Sequence, residues 1–170
     1  NVDTDAGMLD IYMSNYPGCS YCEDPSYNIN SLDWTDRKAL CEMVGSSWIA
    51  YNPNMSEEDC SEIPSIDGNG GWWFNGYVAG FQFELSGITI TDATAPDDFI
   101  VNTGVSTNPD NEGAALLFVF SITGATIPPG IGVLLTTISF IVTPDYAENG
   151  ICFGEDTGSG GYTTMVGIDN

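Results

Sequence analysis

The chain has 170 residues, of which 24 are acidic and two, Arg37 and Lys38, are cationic, with no histidine and a formal net charge of −22. That balance argues against a nucleic-acid or anionic-membrane partner, because phosphate contacts draw on Lys and Arg that the chain lacks. Without imidazole no Ser-His or Cys-His arrangement can form, and metal sites lose their commonest ligand.

The length suits one domain able to bury a core, and 20 Gly and nine Pro set between short apolar runs suit an all-β domain with many turns. No run approaches the roughly 20 apolar residues of a membrane span, so no membrane insertion is expected. The chain starts at Asn1 with neither Met nor a signal-peptide pattern, and reads as a mature or excised segment of a secreted precursor. Five Cys, four of them between Cys19 and Cys60, favour an oxidising compartment, hence a secreted or cell-surface location.

Asp3 and Asp5 alternate ahead of Gly7 like the start of a calcium loop. The Gly falls one place late and Tyr12 stands where the closing Glu belongs, so the segment reads as a solvated leader. Leu9 to Met13 alternates like a strand and is expected at the sheet edge, where its backbone could also pair with a neighbouring copy.

Residues 15–77 change character and read as an insertion, an unusually long connection that needs structure of its own. Within it, Ser31 to Val44 predicts a helix, capped by Ser31 or Asp33, with Leu40, Met43 and Val44 at helical spacing. Ser56 to Asp59 predicts a second, shorter helical turn that opens on a capping box and ends by Pro64. Cys19, Cys22, Cys41 and Cys60 are expected to form two disulfides in preference to a four-thiolate zinc site or a redox pair, with their connectivity open. Asn54, in Asn54-Met55-Ser56, is a glycosylation candidate.

Ser65 to Gly71 is turn-dense and reads as a flexible loop ahead of Trp72-Trp73-Phe74. Trp72, Trp73 and Tyr77 are the candidate ligand-binding residues, because flat aromatics cover the apolar faces of sugar rings. The competing reading has the adjacent tryptophans begin a strand, one facing the core and the other covering the insertion.

Val78 to Leu85 is the central core strand, with Phe81, Phe83 and Leu85 on one face and Gln82 and Glu84 on the other. A Ser86-Gly87 corner leads to Ile88-Thr89-Ile90, and Ala114 to Ile122 and Gly132 to Val142 supply two further core strands. Ile151 to Phe153 and Tyr162 to Ile168 predict the last strands. Cys152 is left odd, either a buried strand thiol or an intermolecular bridge.

The carboxylates supply any number of pairs, so a pair by itself signals no glycosidase, and no catalytic residue is assigned. Asp92, Asp97 and Asp98 could hold calcium, although they read, like Asp110 and Glu112, as solvated loop residues. No other cofactor and no other metal is expected. Thr89, Thr91 and Thr94 leave O-linked sugars open.

Val78-Ala-Gly-Phe-Gln-Phe-Glu-Leu85, a strand ending near Phe120-Ser121, the turn Gly124-Ala-Thr-Ile-Pro-Pro-Gly130 and Gly132-Val-Leu-Leu-Thr-Thr-Ile-Ser-Phe-Ile-Val142 together resemble the core of cohesin-like domains of bacterial extracellular proteins. The resemblance covers roughly residues 78–166, with Leu9 to Met13 as the first strand. It implies a jelly-roll-like sandwich of about nine strands in two sheets, here a single domain, residues 1–170, carrying the insertion. The long insertion departs from the compact form of that family. The function expected is a non-catalytic structural or adhesion module, part of a larger surface protein or the protomer of a filament, whose partners are copies of itself, other surface proteins or glycans. A carbohydrate-binding module and a dockerin-binding cohesin are the alternatives.

Overall fold

The computed structural model describes residues 1–29, 31–32, 34–107, 113–154 and 164–167. In chain order its strands begin with β1 (Val2–Asp3), β2 (Met8–Met13), β3 (Gly18–Cys22), β4 (Trp48–Asn52), β5 (Pro64–Ser65), β6 (Gly68–Asn69) and β7 (Trp72–Phe74). They continue with β8 (Val78–Ser86), β9 (Ile88–Ala93), β10 (Ile100–Val105), β11 (Ala115–Phe120), β12 (Val133–Val142), β13 (Cys152–Phe153) and β14 (Thr164–Gly167). Among the described residues three short α-helices interrupt them, α1 (Trp34–Met43), α2 (Glu57–Ser61) and α3 (Tyr146–Asn149), along with a 3-10 turn at Pro25–Tyr27. The chain divides into two compact units, the first formed by Asn1–Ser14 and Val78–Val166, the second by Asn15–Tyr77 and Gly167–Asn170.

The first unit is an all-β sandwich. One sheet has four strands in the order β1-β2-β12-β9; the other has five, β10-β11-β8-β13 with β14 also on β8. Consecutive strands β8 and β9 lie in different sheets, joined at the Ser86-Gly87 corner. Gly87 has φ +82, and a Cβ there would lie 2.0 Å from the Gly150 carbonyl oxygen, so only glycine makes this turn. The two inner faces supply the core: Leu9, Ile11 and Met13 from β2, Phe81, Phe83 and Leu85 from β8, Leu117 and Val119 from β11, and Leu135, Ile138 and Phe140 from β12. Each such large side chain contributes about 1.5–3 kcal/mol on burial. Leu135 and Thr136 are buried in succession because a bulge between Leu134 and Thr136 shifts the register against β2. The Thr136 hydroxyl then donates to the Thr94 carbonyl oxygen at 2.6 Å, which satisfies it.

Three expectations for this unit are corrected. Residues 1–6 are exposed, as a solvated leader would be, but they are not unstructured: the Asp3 carboxylate accepts from the Ala6 amide at 2.9 Å, and the turn folds β1 back onto β2. As a consequence β2 lies between β1 and β12, with β1 covering its Met8 and Leu9 end. Glu84, expected to face solvent, is 2% exposed and accepts a hydrogen bond from the Ser106 hydroxyl. Ser106 is held over that face by its own amide, which donates to the Ala114 carbonyl at 2.8 Å. β10 also belongs to the structure without having been anticipated, since its burial shows no clean alternation.

In the second unit a strand is expected only at the adjacent tryptophans, where β7 forms; the unit contains the three-stranded sheet β4-β3-β7 and the two-stranded ribbon β5-β6. Two disulfides join its parts, Cys19–Cys60 and Cys22–Cys41. The expected helix is present as α1, but among its described side chains the buried ones are Arg37 and Cys41, one turn apart, while Met43 is 75% exposed. The Cys22 bridge, not an apolar stripe, decides which side of α1 faces inward. A cap at Asp33 lies outside the described residues. The capping box of α2 forms between Ser56 and Asp59. Asn28, wholly buried, accepts from the Cys22 amide at 2.7 Å and donates to the Cys22 and Pro64 carbonyls at 3.0 and 3.2 Å. Asn15 donates to the Gly76 carbonyl at 2.5 Å and so closes the two ends of the inserted segment together.

Candidate functional site

Trp72, Trp73 and Phe74 occupy a strand, and the register of β7 on β3 pairs Ser20 with Trp72, Cys19 with Trp73 and Gly18 with Phe74. Side chains alternate along a strand, so Trp72 and Phe74 share a face with Ser20, while Trp73 lies on the other face with Cys19. Trp72 and Trp73 therefore do not build one platform. Tyr77 does not join them either: it lies past the end of β7, 43% exposed, its amide donating to the Asn75 side-chain oxygen at 3.0 Å.

The residue that does join Trp72 and Phe74 comes from β4. Cys19 pairs with Asn52 and Tyr21 with Ile49, so Ala50 and Tyr51 together oppose Ser20 in a bulge. Tyr51 has φ 48, in the left-handed region that costs a bulky residue about 1–2 kcal/mol. Two neighbours hold it there. Its amide donates to the buried Ser20 hydroxyl at 2.9 Å, and Gly18 lies so close that a Cβ would come within 2.6 Å of the Tyr51 carbonyl carbon.

The bulge re-aims the Tyr51 ring across the face of β7. The Trp72 and Phe74 rings are parallel to within 2°, with centroids 6.4 Å apart. Tyr51 meets both edge-on, at 6.3 Å from Trp72 and 5.5 Å from Phe74. Edge-to-face pairs of this kind contribute about 0.5–1.5 kcal/mol each, enough to offset the backbone strain. All three rings stay partly open to solvent, Tyr51 at 42%. Burial of the rest of the Tyr51 side chain raises its phenol pKa above the ordinary 10.0.

The platform stands on a cross-linked support. The Cys19–Cys60 bridge joins β3 to α2, and Gly71, at the entry to β7, sits where a Cβ would lie 2.1 Å from the Cys60 carbonyl oxygen. Ser65 to Gly71, expected as a flexible loop, is instead a hydrogen-bonded ribbon: the Ser65 hydroxyl donates to the Asp67 carboxylate at 2.7 Å and the Gly70 amide to the Ile63 carbonyl at 2.6 Å. The sequence signal for Phe74 was its position two residues after Trp72. Nothing local marks Tyr51, which reaches the site only through a bulge set by β3.

The other candidates are dispersed. Asn54 is exposed, its amide donating to the Asn52 side-chain oxygen at 3.1 Å, and Thr89, Thr91 and Thr94 are exposed as well. Asp92, Asp97 and Asp98 are exposed, and among the described residues no three Cys, Asp or Glu side chains converge as metal ligands would. Asp110 and Glu112 lie outside the described residues. Cys152 is exposed, not buried, because β13 places Phe153 rather than Cys152 against Phe83, with ring centroids 5.5 Å apart. Among the described residues no helix is long and apolar enough to cross a membrane.

Comparison with protein-family models, with curated proteins and with solved structures gave no match to this chain.

Proposed function

We propose that the chain is a non-catalytic extracellular module of structural or adhesive type, cohesin-like in its sandwich, serving as one domain of a larger surface protein or as the protomer of a surface filament. The observation that carries this reading is the pairing of an apolar β-sandwich with a second unit cross-linked by two disulfides. Such bridges persist outside reducing compartments. A rigid sandwich interrupted by a covalently stapled unit suits a surface module that must keep its shape while presenting a contact face.

The acidic surface sets a condition on any self-assembly. With a net charge of −22 per copy, approach is opposed until salt shortens the screening length, from about 30 Å at 0.01 M to about 8 Å at 0.15 M. Within its own sheet β1 pairs only with Met8 and Leu9 of β2, and Asn1 bonds to Asp10, so a filament contact through that strand is restricted to its Ile11 to Met13 end. Size-exclusion chromatography and negative-stain imaging of the native protein across ionic strength test the filament form. Association that grows with salt supports it; a monomer at every salt concentration overturns it and leaves the single-domain form.

A further inference from the structure

We infer that Trp72, Phe74 and Tyr51 form a binding face for the apolar side of a neutral pyranose sugar. The inference rests on the adhesive reading above and names the chemistry of its partner. Three observations converge on it. The first is shape: two parallel, stacked rings on one strand and a third set at 71° and 72° to them gather partly exposed aromatic surface on one face of the sheet. Pyranose rings offer axial C–H groups on one face and hydroxyls around the rim, and they match such a surface.

The second observation is the backbone at Tyr51. A bulge position with φ 48 is one that glycine fills without strain, yet here it carries a large aromatic side chain. Bulges re-aim side chains, and strain of this kind concentrates where a ligand is met. Ser20 and Gly18 both serve to hold this residue in that conformation, so the local sequence is built around the placement of one ring.

The third observation is charge. The chain has 24 acidic residues against two cations, and one of those cations, Arg37, is 6% exposed. Uronic and sialic acids would meet repulsion with little to pair with, so the sugar is uncharged.

The test uses the full chain with its disulfides intact. Tryptophan fluorescence and calorimetry are followed against hexasaccharides of β-1,4-linked glucose, mannose and N-acetylglucosamine, with a galacturonic acid hexamer as the charged counterpart. We expect at least one neutral hexamer to bind and to perturb tryptophan emission. Trp72→Ala should weaken that binding about tenfold or more, equivalent to about 1.4 kcal/mol, and Tyr77→Ala should leave it unchanged. Tyr51→Gly relieves the positive φ, so it should lose binding while the melting temperature is held, and it carries the test if Trp72→Ala fails to fold. No binding by any neutral hexamer, preference for the charged hexamer, or equal losses in Trp72→Ala and Tyr77→Ala would each overturn the assignment. Assembly, read on the same samples by chromatography, is unaffected by these outcomes, so failure here is separable from failure of the adhesive reading.

Discussion

In the first unit the side chains shut away from water are Phe81, Phe83, Leu85, Leu117, Val119, Leu135 and Ile138, with Glu84, Ser106 and Thr136 as buried polar companions. In the second they are the half-cystines 19, 22, 41 and 60 together with Asn15, Ser20, Asn28 and Arg37, and among the described residues no aliphatic side chain of that unit is buried. The first unit excludes water with apolar area; the second closes loops covalently and satisfies its buried backbone with side-chain amides. The difference teaches where a surface site can be afforded. A unit that does not spend its tryptophans and phenylalanines on a core can leave Trp72 and Phe74 half-open, whereas the first unit consumes Phe81 and Phe83 inside.

The largest expected effect comes from breaking the covalent side of the contrast. The Cys19–Cys60 bridge spans 41 residues, and in the chain-entropy view removing it costs about 4 kcal/mol. The double variant Cys19→Ala/Cys60→Ala should lose amide-exchange protection throughout residues 15–77 while β8, β11 and β12 remain protected. Equal loss in both units would show that they are not held by separate means. The Cys22–Cys41 bridge, across 19 residues, should cost about 3 kcal/mol by the same argument.

Leu117→Ala makes the converse cut. Fully buried between the sheets, it should lose about 3 kcal/mol in denaturant unfolding, with exchange protection lowered in the sandwich strands. A smaller loss is expected from Asn28→Ala, which strands the Cys22 amide and the Cys22 and Pro64 carbonyls in the second unit. The cost should be about 2 kcal/mol, read as a lower melting temperature with both disulfides still formed.

The smallest effect sharpens the comparison by pH. Folding raises the Tyr51 pKa, so its neutral form is favoured in the native state, and the stability this confers is whole below the ordinary 10.0 and falls as pH rises through that value and then the raised one. The native protein should therefore lose stability above pH 10 more steeply than Tyr51→Phe, measured by chemical denaturation of each on either side of that pH. Equal slopes would remove Tyr51 from the account.

Much of the sandwich was legible because its pattern is local. Phe81, Phe83 and Leu85 alternate, so periodicity assigned the inner face of β8, Gly87 marks the corner, and the two later apolar runs have strand length. The second unit was legible in its cysteines, its helices and the strand begun by Trp72 and Trp73, but not in its other strands. Its strands are short and carry no alternation, since the register of β3 against β4 and β7 follows from cross-links and close glycine contacts rather than from apolar area.

What the sequence determined by itself is the all-β class, the β8, β11 and β12 core, the α2 capping box and the oxidising chemistry of Cys19, Cys22, Cys41 and Cys60, because each depends on residues close together in the chain or on composition. Tertiary structure alone decided that β1 folds onto the start of β2, that Glu84 is buried under Ser106, that the bridges run 19 to 60 and 22 to 41, and that Tyr51 rather than Trp73 stands beside Trp72 and Phe74. Each of these depends on which distant segments meet and in what register. A single inserted residue in β4 turns a side chain to the opposite face, and no local pattern records that it has done so.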